Sequence, residues 1–240
     1  MELSKDIIED SELQIWDYDG VIGEVRIANC LFGIIMEEKK RGNKKNYRRG
    51  IRGGLKVMAG TKIMSPFSQM YAENWGLKKA IEIVGNTDPE IGKERIQEAA
   101  LQRHENYKLS GVEAVIETLR EDYGLDFYIS STSADIFIEP VAKKLGAVGF
   151  TTQEVFYEGE NPKGVKLRVR NKYEVTKNDL EEKGYSVKNS VYFGDGPSDL
   201  EFKGNSKLFF ASPLAKPPVR RVADFQIDDY RNFNRELKEL

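Results

Sequence analysis

The chain has 240 residues, 40% of them apolar and 32% charged, with a net charge of −2. This is globular composition, which excludes a disordered chain, and the near-neutral balance gives no sign of a polyanion partner for the molecule as a whole. A single cysteine, Cys30, excludes an internal disulfide and a cysteine-rich zinc site and reads as a small buried hydrophobe.

The opening MELSKDIIEDSE is acidic and polar, unlike a secretory signal. The longest apolar stretch, residues 27–36, is interrupted by Asn29 and Gly33 and is too short to span a bilayer. The expectation is a soluble, cytoplasmic protein. Next, ELQIWDYD reads as a buried strand that ends in two acids, Asp17 and Asp19, followed by Gly20. Residues 22–109 hold no strand pattern. Val25–Glu38 and Pro66–Val84 have helical spacing, and Thr87-Asp88-Pro89-Glu90 is a capping box that opens a helix to about Tyr107. From Ser110 the pattern alternates. A helix follows Ser110-Gly111, LDFYISS is a strand, and Asp135–Leu145 and Lys172–Lys183 are helices. NSVYFGDG and SKLFFAS are strands, and ADFQID is a short edge strand. The expected fold is α/β: a Rossmann-like parallel sheet with helices on both faces, and an inserted helical cap. Residues 1–21 and 110–240 form the core domain and 22–109 the cap.

In such sheets ligands bind beyond the carboxyl ends of the strands. Asp17, Asp19, Ser130, Ser131 and Asp195 all fall there. Side chains two apart on a strand share a side, so Asp17 and Asp19 are expected to reach one site. Two carboxylates in one place repel. Either a hard divalent cation such as magnesium offsets the repulsion, or one carboxyl keeps a proton and can act as a general acid. Gly20 lets the backbone turn sharply beside them. In VYFGDGPSDL, Asp195 lies between glycines at a strand end, and Pro197 starts a helical turn from which Asp199 faces back. A serine hydroxyl at 130 or 131 can hold a phosphate oxygen, and Lys172 can bring a positive charge to the same place.

Together DYDGV, YISS, the lysine of NKYEV and GDGPSD resemble the four motifs of the haloacid dehalogenase superfamily of phosphohydrolases, over residues 13 to about 212 apart from the insert. The segments LSGVEAVIETLREDYGLDFYISSTS and LGAVGFTTQEVFYEGE, and a helical insert after the first motif, are most similar to its phosphoserine-phosphatase-like branch. The resemblance implies a magnesium-dependent phosphoric monoester hydrolase. In it Asp17 is the nucleophile that forms an aspartyl-phosphate. Asp19 is the acid and then the base, its carbonyl helping to bind the metal. Ser130 or Ser131 holds a phosphate oxygen, and Lys172 neutralises Asp17 and the phosphate. Asp195 ligates the metal, and Asp199 orients Lys172 or joins the metal's shell. The acid at Asp19 argues against dehalogenation. Serine-specific members of the branch carry a glutamate where this chain has Arg26, so the expected substrate is a small anionic phosphate ester, with Arg26 at the mouth of the site.

Residues 39–54, KKRGNKKNYRRGIRGG, hold eight Lys or Arg and no acid, which leaves the remainder at 29 bases and 39 acids, a net of −10. Its glycines and Asn43 make it loop-like. It reads as a solvated cap loop, as an electrostatic lure for a phosphorylated or polyanionic substrate, or, least of the three, as a membrane-surface patch. A phosphotransferase or mutase on the same chemistry, and a nucleic-acid-binding or nucleic-acid-end phosphatase using this stretch, are the alternatives. His104, the only histidine, reads as a surface or packing residue of a helix.

Overall fold

The computed structural model describes residues 4–23, 35–36, 39–64, 69–87 and 92–240. Seven strands form one sheet: β1 (Leu13–Trp16), β2 (Asp126–Ala134), β3 (Gly149–Glu158), β4 (Asn161–Lys166), β5 (Ser190–Gly194), β6 (Leu208–Ala211) and β7 (Phe225–Gln226). Their order is β4-β3-β2-β1-β5-β6-β7. All neighbours are parallel except the β3–β4 hairpin at one edge.

The central strands are near-continuous apolar runs because both of their faces are covered. On one face Trp16, Phe127, Phe193 and Phe210 pack with α5 (Val112–Glu121), α6 (Asp135–Lys144) and α9 (Tyr230–Glu239). The rings of Trp16 and Phe193 stack with centroids 3.8 Å apart, and those of Phe193 and Phe210 at 4.8 Å. On the other face Leu13, Ile15, Tyr128, Tyr192 and Phe209 pack with Leu180 of α7 (Lys172–Glu181) and Val219 of α8 (Pro217–Val222). Buried Gln14 is fully used: its amide donates to the carbonyls of Ile116 and Leu125, and its oxygen accepts from the Trp16 indole. A short helix α1 (Lys5–Glu9) precedes β1.

The inserted block supplies α2 (Lys44–Met64), α3 (Gln69–Thr87) and α4 (Lys93–Tyr107), and no strand among its described residues. α2 packs on α3, α3 on β4, and α4 on α6. Gly85 lets α3 approach the hairpin: a Cβ there would lie 2.1 Å from the Pro162 carbonyl oxygen.

Four expectations are corrected. The basic stretch is helical from Lys44 onward. Its glycines do not break the helix because Gly50 and Gly53 are packing positions, where a Cβ would come within 2.6 Å of Ile35 and 2.9 Å of Ile83. Thr87 ends α3 rather than opening the next helix, which starts at Lys93 after Gly92. LDFYISS does not stop at its hydroxyls: β2 runs to Ala134, with a register shift between Ser130 and Ala134 where the strand bends around the site. The β3–β4 hairpin was not expected, because Thr151, Thr152 and Gln153 are polar yet buried, and polar residues do not read as a core strand. The helix expected at 25–38 lies largely outside the described residues, as do Cys30 and Arg26.

Candidate active site

The sheet order puts β1 between β2 and β5, so the residues that follow these strands meet. The Asp17 amide donates to the Phe193 carbonyl at 2.9 Å, carrying the β1–β5 ladder one residue past the strand. The chain then turns tightly around one oxygen: the N–H groups of Val21, Ile22 and Gly23 all donate to the Tyr18 carbonyl, at 3.4, 3.0 and 3.1 Å. Gly20 has φ +82°, and a Cβ on it would lie 2.5 Å from Asp195 Oδ2. Only glycine fits both the backbone and the neighbouring carboxylate.

Lys172 opens α7 and is buried. Its ammonium donates to Asp17 Oδ1 at 2.8 Å and to Asp199 Oδ1 at 2.7 Å. Burial alone would push this ammonium down, but Asp17 and Asp199 reverse the effect and hold it above its ordinary range. Asp17 Oδ1 also accepts from the Tyr18 amide at 2.7 Å, and neither bond uses Oδ2. Burial pushes the Asp17 carboxyl up, Lys172 pulls it back, and Asp199 and Asp195 push again, leaving it at about 8.

Asp199 lies in a 3-10 turn, Pro197–Phe202, and is fully buried. Its Oδ1 accepts from Lys172 and from the Tyr192 hydroxyl, each at 2.7 Å, and its Oδ2 from the amides of Asp195 and Gly196, each at 2.9 Å. All four accepting positions of the carboxylate are therefore filled. Gly194 makes room for it, since a Cβ there would lie 2.7 Å from Asp199 Cβ.

Among the described residues the carboxylates of Asp17, Asp195 and Asp199 meet, with an oxygen of each within 4.8 Å of the others. The Asp19 carboxylate is not in that group. The strand ends at Trp16, so strand alternation does not govern residues 17–19; Asp19 is half-buried in the turn and bridges to Gly23 through its backbone. Ser130 and Ser131 are both buried. Ser130, directly after the Trp16–Ile129 pair, bonds the Thr176 hydroxyl of α7 at 2.6 Å, one turn on from Lys172. The Ser131 hydroxyl instead accepts from the Ser133 amide at 3.1 Å, within its own strand. Arg26 lies outside the described residues.

Two contributors, Tyr192 and Thr176, went unnoticed in the sequence, and His104 is the buried packing residue of the two roles expected for it. Tyr192 anchors Asp199, and strand alternation from Tyr128's neighbour face would have pointed to it. Thr176 follows Lys172 by four residues, which places both on one helix face. His104 is fully buried between the Tyr18 hydroxyl, 3.3 Å from Nδ1, and Glu113 Oε1, 3.2 Å from Nε2, tying α4 to the turn that carries Asp17.

Three carboxyl groups meet a single ammonium here, so the cluster is rich in acidic oxygens and short of positive charge. Hard oxygen donors with this deficit fit a divalent cation such as magnesium. A carboxylate with one oxygen fixed and the other uncommitted, beside a buried ammonium, suits attack on an anionic phosphorus centre.

The mostly parallel sheet with helices on both faces is a Rossmann-like α/β fold, and it is shared with solved phosphoserine phosphatases. Among solved structures, the chain is similar to a substrate-bound phosphoserine phosphatase (17% identity, 94% of this chain and 98% of that one, TM-score 0.64). It is also similar to a phospho-aspartyl intermediate analogue of phosphoserine phosphatase (18%, 94% and 98%, 0.62) and to the phosphoserine phosphatase of T. onnurineus (17%, 96% and 96%, 0.59). No protein-family model matches the chain, and no curated protein matches it in sequence. Among the described residues no helix is long and apolar enough to cross a membrane.

Proposed function

We propose that the chain is a magnesium-dependent phosphatase that hydrolyses a small, anionic phosphate monoester through an aspartyl-phosphate. The observation that carries this reading is the Asp17–Lys172–Asp199 chain of ion pairs at the strand ends, beside Asp195. Asp17 Oδ2 attacks phosphorus while Oδ1 stays fixed by Lys172 and the Tyr18 amide. The P–O ester bond breaks, and Asp19 gives its proton to the departing oxygen. Asp19 then takes a proton from water, whose oxygen attacks the aspartyl-phosphate and releases inorganic phosphate with Asp17 restored. Ser130 holds a phosphate oxygen by exchanging its bond to Thr176. Lys172 offsets charge on Asp17 and the phosphate, and Asp199 keeps Lys172 in place. Asp17 and Asp195 would hold the cation, with the Asp19 carbonyl, while the oxygens of Asp199 are already engaged. The cation supplies further neutralisation of the phosphate's charge.

Residues 22–109 serve as a cap, hinged near Gly20–Gly23 and Ser110–Gly111. The backbone crossing between the two hinges supports this: the Leu109 amide donates to the Ile22 carbonyl at 2.9 Å, and Gly23 bridges Lys108. Arg26, where the serine-specific pattern has glutamate, favours an anionic leaving group over an amine-bearing one. The test is hydrolysis of an aryl phosphate, then of a panel of phosphorylated metabolites and nucleotides, with magnesium and with a chelator. Metal-dependent turnover that Asp17→Asn removes is expected. Full activity in that variant, or activity indifferent to the chelator, overturns the reading.

A further inference from the structure

The basic stretch has no part in the chemistry above, yet it is the most concentrated charge in the molecule. In α2 its cations become ordered. At about 100° per residue, Lys44, Lys45, Arg48, Arg49, Arg52 and Lys56 fall within an arc of about 140°, and at 1.5 Å per residue they extend about 18 Å along the axis. All six are exposed, and together they line a groove of about 710 Å³ whose wall is completed by Gly53 and by Ile83 of α3. Among the described residues no carboxylate pairs with Lys44, Lys45, Arg48, Arg52 or Lys56. Like charges this dense repel one another, and a surface that keeps five of them without acids is built for an anion from outside.

We infer that this face of α2 is a docking surface for the phosphate backbone of a single-stranded nucleic acid. The charge pattern is linear, and about 18 Å spans about five phosphates of a strand at 3.4 Å rise. A groove lined by a single row of cations tracks one strand. Its lining carries no aromatic ring, so the contacts go to phosphates and not to stacked bases. A bilayer fits less well, because a helix lying on lipid needs a free apolar face. Here the glycine side of α2 is taken up by Ile35 and Ile83, and Val57 is buried. The net −10 of the remaining chain repels a polyanion elsewhere and so confines it to this groove.

The inference is independent of the phosphatase reading, and its test does not measure turnover. A labelled single strand of about 20 nucleotides and mixed sequence is titrated by fluorescence anisotropy between about 50 and 200 mM salt. With five phosphates neutralised, the log–log slope of affinity against salt is expected near −3.5, an affinity loss of about 130-fold over that range. The variant R48A/R49A/R52A should bring the slope to about −2, with the helical circular dichroism and aryl-phosphate kcat/KM unchanged. Should that variant lose helix, K44A/K45A at the exposed first turn reads the same quantity, with an expected slope of about −2. Absence of oligonucleotide binding at the lowest salt overturns the inference, as does a slope that neither variant changes. Tighter binding of phosphatidylserine–phosphatidylcholine vesicles or of an acidic peptide than of the oligonucleotide also overturns it.

Discussion

The carboxylate cluster at the strand ends and the basic face of α2 are opposite solutions to the same problem of like charges held together. At the strand ends the charges are buried, and each is tied to a named partner: Lys172 to Asp17 and Asp199, Asp199 to Tyr192 and two amides. On α2 they stand in water, apart from one another and without acidic partners for most of them. In a poorly polarisable interior, removing one member leaves a stranded charge. On the surface, water and salt screen the loss over about 10 Å at 0.1 M. One region is therefore sensitive to single atoms and indifferent to salt, and the other is the reverse.

The sharpest way to break this contrast is at Asp17. Asp17→Asn keeps the shape but removes the carboxylate proposed as nucleophile, and turnover should fall to background while the thermal midpoint holds. Lys172→Met comes next: kcat should drop by roughly 10²–10³-fold, the scale of losing one charge-stabilising donor, and raising salt should not change that ratio. A loss that salt does modulate would mean that this site is as open as α2.

Stability offers a third test. Gly20→Ala forces a side chain into a left-handed backbone position and against Asp195, at a cost of about 1–3 kcal/mol, read from denaturant midpoints. Acid–base behaviour gives a fourth. In chelator, Asp17 sits at about 8 in the folded protein against an ordinary 3.8. Across that window the folded state keeps a proton that the unfolded chain has released. Stability should therefore fall as pH rises from about 4 to 8. Magnesium should shrink this slope, and Asp17→Asn should remove Asp17's share of it. A flat profile for the metal-free wild type would show that Lys172 alone already neutralises the cluster. The smallest effect belongs to α2, where R48A/R49A/R52A should shift stability by less than about 0.5 kcal/mol.

What sequence alone determined about this protein is the part where chemistry is local. Apolar runs that end in Asp17, in Ser130 and in Gly194-Asp195-Gly196 can be read because a strand's burial and its polar end are covalently adjacent. The parallel order of such strands then follows from the helices between them. Asp199 turning back from Pro197 could be read for the same reason, being four residues from Asp195. Tertiary structure decided whatever depended on who the neighbour is. Gly50 and Gly53 look like loop residues until Ile35 and Ile83 press against them and make the missing Cβ a packing surface. Thr151 and Gln153 do not look like core strand until Asp179 and Val169 satisfy their side chains. Of the two adjacent serines, only Ser130 meets α7, because the sheet face that Tyr128 shares is the face α7 covers. Periodicity states which residues are alike along a chain; burial and hydrogen-bond satisfaction depend on contacts between separate elements, and those exist only once the elements have packed.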